Sequence, residues 1–175
     1  MEKEAQYLIS LQLDHGKTTV SNFKLDNAFF ESIDNDELHG GEIEAEVQLT
    51  KNSNSFLLEI YIEGLVLLTC DRCLDLCKVE LIADDEIIAE YAEETNFDTG
   101  KDNITVLMGE TELNIKSLFR DLILTSLPVK RVHNPELGIE QVCNSEMIEI
   151  LNKHIKEESD YIDPRWEKLK DLKTN

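Results

Sequence analysis

The sequence predicts an α+β fold in which an antiparallel β meander, or a partly closed barrel, is followed by C-terminal helices. Between residues 43 and 91 apolar and polar side chains alternate, which is the period of half-buried strands. After about residue 110 the apolar spacing becomes that of amphipathic helices. We expect a single domain over residues 1–175, mostly β over 1–110 and mostly helical over 111–175. Its 41% apolar content is enough for one core.

Two strands and a short helix are predicted in the first part of the chain. Apolar residues alternate from Tyr7 to Leu13, and a second strand pattern runs from Thr19 to Leu25. The turn residues His15-Gly16-Lys17 lie between them, so the two strands are expected to form a hairpin. Asp26 is then placed to cap a short helix over residues 27–33.

The clearest strand pattern lies in the middle of the chain. Odd positions are apolar from Ile43 to Leu49, and even positions are apolar from Phe56 to Ile62, on either side of an Asn52-Ser53-Asn54 turn. A further alternating strand runs from Val79 to Tyr91. Each strand therefore has one apolar face. We expect these strands either to curl into a barrel or to have one face covered by helices.

The remaining elements follow from breaks in these patterns. The acidic stretch 93–103 has no periodicity and predicts an exposed loop, and a short strand is expected over 104–108. A helix is predicted from Asn114 until Pro128 stops it, and another begins at Asn144 or Ser145. The pair Asp163-Pro164 has the chemistry of a helix start and predicts a final short helix carrying Trp166.

The strong acidity of the chain limits its partners. There are 17 basic and 37 acidic residues, which give a formal net charge of −20. A surface that neutralises phosphates needs clustered cations, so this charge argues against broad nucleic-acid binding and favours basic partners. The simpler alternative is that acidic faces only keep the protein soluble. The sequence has no apolar run of membrane-spanning length and no secretory leader, so a cytoplasmic location is expected.

Two thiols at CxxC spacing are the most informative local feature. Cys70-Asp71-Arg72-Cys73 is expected at the tip of a β-hairpin, where both thiols could bind one metal ion, form a redox pair or remain unreactive. A Zn²⁺ site needs four nitrogen or sulfur ligands, so two more are required. The further candidates are Cys77, Cys143 and His133. The metal hypothesis is a Zn²⁺ site formed by Cys70, Cys73, Cys143 and His133.

Few basic residues are placed to contact an anionic partner. The candidates for binding RNA or another partner are Arg72, Lys130, Arg131, Arg165, Lys168 and Lys170. Arginine suits this role because its guanidinium group binds phosphate in a bidentate manner. Two alternatives stay open, since Arg72 could form a salt bridge at the tip and the C-terminal cations could be the solvated side of a helix.

Three segments resemble one protein family. The run Cys70-Asp71-Arg72-Cys73-Leu74, preceded by Gly64 to Thr69, resembles the signature of the YceD family. The helix that runs into Leu127-Pro128 and the ending Asp163-Pro164-Arg165-Trp166 are similar to two further features of that family. Common members carry a second cysteine cluster after the Leu-Pro step, where this chain has His133 and Cys143.

The resemblance implies a function that the residues alone do not reveal. YceD proteins are linked to accumulation of large-subunit (23S) ribosomal RNA, so it implies a cytoplasmic factor in ribosome assembly. The implied partners are a large-subunit ribosomal RNA precursor, a basic large-subunit ribosomal protein, or both. The alternative is a zinc- or thiol-dependent regulatory module unrelated to ribosomes.

Catalysis is not expected. The sequence has no phosphate-binding glycine loop, no GxSxG and no HExxH, and it contains only seven glycines. No small-molecule substrate is evident, and membrane binding is not expected. A small hydrolase or a thiol oxidoreductase ranks only third, because in so acidic a chain paired carboxylates arise by chance and do not indicate a catalytic site.

Overall fold

A computed structural model describes residues 5–33, 35–98, 103–137 and 142–154. The strands are β1 (Leu8–Ser10), β2 (Thr18–Leu25), β3 (Gly41–Lys51), β4 (Ser55–Thr69), β5 (Leu76–Ala92), β6 (Asn103–Leu107) and β7 (Glu112–Asn114). The helices are α1 (Asn27–Glu31), α2 (Lys116–Thr125) and α3 (Ser145–His154), and 3₁₀ turns occur at Ala5–Tyr7 and Pro135–Leu137. The predicted α+β class is confirmed.

The main sheet has five strands in the order β2-β3-β4-β5-β6. Neighbouring strands from β2 to β5 run antiparallel, as the meander prediction requires, whereas β6 is parallel to β5. Strands β2 and β6 stay at opposite edges, so the described strands form an open sheet. The prediction of a partly closed barrel is therefore wrong. The other prediction, a sheet with one face covered by helices, is confirmed.

The core lies between one face of this sheet and the elements that cover it. On β3 and β4 the predicted apolar residues, from Ile43 to Leu49 and from Phe56 to Ile62, are buried at every second position. Aromatic rings fill the layer above them, since Tyr7 lies edge-on to both Phe29 of α1 and Phe119 of α2. The opposite face of β3, β4 and β5 carries the polar half of the alternation.

The predicted N-terminal hairpin is wrong. Strand β1 pairs with β7, where Ile9 faces Leu113 in a two-stranded sheet, and β2 pairs with β3 over its whole length. All eight residues of β2 pair with β3, whereas β1 has only three residues and could pair with no more than three residues of β2. Ile9 and Leu113 are both buried, so the small sheet extends the core layer.

Capping of α1 and α3 follows the sequence, whereas α2 begins at Lys116, two residues after the predicted start at Asn114, which ends β7. The Asp26 carboxylate accepts hydrogen bonds from the Ala28 and Phe29 amides, as expected for the cap of α1. The Asn144 side chain accepts from the Glu146 amide at 3.0 Å at the start of α3.

Among the described helices, none is long and apolar enough to cross a membrane. The predicted final helix with Trp166 lies outside the described residues.

Candidate metal centre

Residues 70–75 form the tip of the β4–β5 hairpin, and local hydrogen bonds fold this tip around its two thiols. The Cys70 amide donates to the Asp75 carbonyl at 2.8 Å, and the Leu74 amide donates to the Cys70 carbonyl at 3.0 Å. The Arg72 amide points at the Cys70 sulfur, 3.5 Å away. Both Cys70 and Cys73 are buried, so the turn directs two sulfurs to the inside of the tip.

A second segment, which follows α2, is held against this tip by Asp71. The Asp71 amide donates to the Arg131 carbonyl at 2.7 Å, and the Arg131 amide donates back to the Asp71 carboxylate at 2.6 Å. The Arg131 guanidinium then forms an ion pair with Glu37 at 2.8 Å. Because Arg131 lies two residues before His133, these contacts bring the imidazole to the thiols.

Four side chains converge at this junction, close enough together to hold one metal ion. The ligand atoms of Cys70, Cys73, His133 and Cys143 all lie within 4.8 Å of one another. The Cys70 and Cys143 sulfurs are 4.0 Å apart, and His133 Nδ1 is 3.5 Å from the Cys73 sulfur and 3.6 Å from that of Cys143. Tetrahedral zinc with ordinary bond lengths places two sulfurs about 3.8 Å apart, and sulfur and nitrogen about 3.6 Å apart.

The donor set therefore fits Zn²⁺. Three thiolates and one imidazole are a common ligand set for structural zinc, and a set of four protein ligands leaves no position open for substrate. When bound, Zn²⁺ would cross-link the hairpin tip to the segment that carries His133 and Cys143. Lewis-acid chemistry on a substrate is not favoured by such a closed set.

The local environment gives the thiols different pKa values. Burial raises the pKa of Cys70, but hydrogen bonds from the Arg72, Cys73 and His133 amides and from the His133 ring outweigh it and lower the pKa to about 6. Burial and the nearby thiols raise the pKa of Cys77 to about 11. Burial also raises the pKa of Cys143, which is next to Cys70. The tip thus favours a thiolate at Cys70 and keeps the fully buried Cys77 protonated.

The structure brings together all four residues of the metal hypothesis and leaves Cys77 outside the group, buried beside it. Arg72 and Lys130 are exposed next to the site, whereas Arg131 is half-buried in its ion pair. Arg165, Lys168 and Lys170 lie outside the described residues. Sequence reasoning missed the role of Asp71, although its position between the two thiols marks it as part of the turn.

A comparison with protein families gives a match that includes the hairpin tip. The model of the family described as "Large ribosomal RNA subunit accumulation protein YceD" matches residues 58–173 of the 175-residue chain. The chain belongs to the YceD family. The YceD match begins within β4 and includes the hairpin tip and all four candidate ligands. No curated protein and no solved structure gives a significant match.

Replacing Asp71 by alanine is expected to weaken Zn²⁺ binding by about 10- to 100-fold, because its carboxylate positions the segment that carries His133. Competition with a chromogenic chelator would measure this change. Asp75→Ala is the matched control, since Asp75 accepts the Cys70 amide through its backbone carbonyl and its side chain forms no hydrogen bond with a described residue. Equal losses in the two variants would show that Asp71 has no specific role in positioning a ligand.

Proposed function

We propose that this YceD protein is a non-enzymatic cytoplasmic factor that supports accumulation and maturation of large-subunit (23S) ribosomal RNA during ribosome assembly. The family description supports the connection with large-subunit ribosomal RNA. We further propose that the hairpin tip, cross-linked by Zn²⁺ to the segment after α2, contacts the ribosomal RNA precursor.

The RNA contact at the hairpin tip is proposed because two exposed cations lie beside the candidate metal centre. Lys17, Lys24, Arg120 and Arg131 each form an ion pair with a carboxylate. Arg72 and Lys130 are exposed and form no ion pair with any described residue. Arg72 follows Asp71 and Lys130 precedes Arg131 in the chain. Both cations therefore lie at the junction that zinc would cross-link.

A metal at this junction would fix the backbone that carries both cations. Fixing a binding surface in advance lowers the entropy that is lost on association, so fewer contacts are needed for useful affinity. Arg72 supplies a planar fork of donors that suits a phosphate, and Lys130 adds a second positive charge. The acidic body would repel RNA elsewhere, which favours contact at one defined position over general coating of RNA.

Reversing both charges tests this proposal. We expect Arg72→Glu/Lys130→Glu to reduce co-sedimentation with large-subunit precursor particles at least about tenfold, because two favourable phosphate contacts become repulsive. Zn²⁺ content and unfolding temperature should stay close to those of the unmodified protein, since both side chains are exposed and neither belongs to the ligand group.

The matched control is Lys17→Glu/Lys51→Glu, which makes the same change in net charge. The Lys51 amide donates a hydrogen bond to the Lys17 carbonyl at the end of β3 that lies farthest from the tip. Equal losses in the two double variants would assign the effect to net charge and contradict the proposed tip contact. If the unmodified protein holds zinc but never accompanies precursor particles, the alternative of a zinc-dependent module unrelated to ribosomes is favoured.

A further inference from the structure

The face of the main sheet that points away from the core has no covering element among the described residues, except where Leu137 reaches its margin near Ile82. We call it the outer face, and its central part comprises Val20, Asn22, Lys24, Glu44, Glu46, Gln48, Glu59, Tyr61, Glu63, Ile82, Asp84 and Glu86. The covering helices and the small sheet all pack on the opposite side.

Carboxylates on the outer face are placed directly opposite one another. In the ladders between strands, Glu44 faces Glu63 and Glu59 faces Glu86. Like charges in directly opposed positions of an antiparallel pair destabilise a sheet. Lys24 lies opposite Glu44 and pairs with Glu42, but no described cation forms an ion pair with Glu59 or Glu86. The repulsion between Glu59 and Glu86 is therefore uncompensated within the described part of the chain.

Apolar side chains lie between these acids, which distinguishes the outer face from a merely solvated acidic surface. Tyr61 occupies the centre, between Glu46 and Asp84, and remains 41% exposed. Ile82 is 60% exposed and lies opposite Glu63. A shallow groove of about 420 Å³ follows β2, β3 and β4, and Lys24, Glu46, Tyr61 and Glu63 contribute to its walls.

We propose that the outer face is a docking surface for an extended protein segment rich in lysine and arginine. The cations of such a segment would neutralise the opposed carboxylates, and their long aliphatic stems would cover Tyr61 and Ile82. Charge complementarity selects this occupant, because the central part of the face holds six carboxylates and one cation, Lys24, that already pairs with Glu42, and this charge would repel a polyanion such as RNA. The proposal deepens the proposed function, since it assigns a basic ribosomal protein to one surface and the RNA contact to another.

The test uses the full chain and a fluorescein-labelled peptide of about ten residues in which arginine alternates with valine, the period of an extended strand. Fluorescence anisotropy at physiological salt should show binding of this peptide and none of its glutamate counterpart. We expect Glu59→Gln/Glu86→Gln to weaken binding at least about tenfold. The same variant should raise the denaturant midpoint of the free protein, because an uncompensated repulsion has been removed.

Glu31→Gln/Glu112→Gln is the matched control, with the same change in net charge on α1 and β7, away from the outer face. It should change peptide affinity less than twofold. Equal weakening by both double variants would mean non-specific attraction and would overturn the proposal. Absence of peptide binding to the unmodified chain would overturn it as well.

A photo-crosslinking amino acid at position 61 of the full chain identifies the occupant directly. Crosslinks to the basic peptide support the proposal, whereas crosslinks to the chain's own residues 155–175 would overturn it. None of these measurements contains RNA, so failure here leaves the proposed RNA contact untouched. Failure of precursor co-sedimentation would in turn leave the peptide result standing.

Discussion

Replacing Cys70 by serine should lower the Zn²⁺ content of the purified protein from about one ion per chain to nearly none. Serine retains the size of the side chain but removes a thiolate that zinc binds strongly. Because Cys70 is a direct ligand in the proposed site, the fall in zinc affinity should exceed the roughly 100-fold limit expected for residues that only support ligands. Elemental analysis of protein purified without chelators measures the outcome.

The structural effect should be confined to the junction at the hairpin tip. The cysteines form a cluster separate from the main core, which is built from the inner face of the sheet, α1 and α2. Loss of zinc therefore removes a cross-link without opening that core. Hydrogen exchange should accelerate in residues 129–137 and 142–147 and change little in β3 and β4.

Cys77→Ser provides the control, because Cys77 is buried beside the site but does not belong to the ligand group. This variant should retain zinc, although a buried hydroxyl in place of the thiol will cost some stability. If protein with all four cysteines intact contains no metal, the metal hypothesis fails. If Cys77→Ser loses as much zinc as Cys70→Ser, the assignment of the four ligands is wrong.

Replacing Gly64 by alanine should destabilise the fold by about 3 kcal/mol, because an added methyl group would collide with backbone atoms of β3. An alanine Cβ at this position would lie 2.2 Å from the Glu42 carbonyl oxygen and 2.7 Å from the Ile43 Cα. Backbone in a central strand pair cannot move aside without breaking ladder hydrogen bonds. Chemical denaturation monitored by circular dichroism measures the change in the free energy of unfolding.

Gly16→Ala separates this steric effect from the general cost of replacing a glycine. Gly16 has a φ of +75°, and a Cβ there would meet nothing within 4 Å. Its replacement should therefore cost only about 1 kcal/mol, from the left-handed backbone conformation alone. Similar losses at the two positions would show that β3 and β4 can separate enough at Gly64 to admit a methyl group.

For the candidate site, sequence reasoning named the four ligands but not the contact that brings them together. The CxxC spacing made Cys70 and Cys73 candidates, because a tight turn brings two thiols to one side. Cys143 and His133 completed the predicted set of four, since zinc binds sulfur and nitrogen ligands and Cys77 lies on the strand that leaves the tip. The reciprocal hydrogen bonds between Asp71 and Arg131 bring the later segment, with His133 and Cys143, over the tip. Such a contact joins residues 60 positions apart and leaves no periodic pattern.

What the sequence alone determined are the properties that depend on near neighbours. These include the half-buried strands β3 to β5, the cap of α1 at Asp26, the helix after Asn114 and the likeness to the YceD family. Alternation and capping are local, because they depend on residues within a few positions of one another.

Only the tertiary structure decided which elements meet. It paired β1 with β7, placed β6 parallel to β5, left the sheet open and set Glu59 opposite Glu86. Each of these outcomes depends on register between segments that are distant in the chain, and a single strand's pattern is compatible with many partners. The surfaces proposed to bind RNA and a basic protein arise from this long-range pairing, which is why composition suggested such partners but could not locate their binding faces.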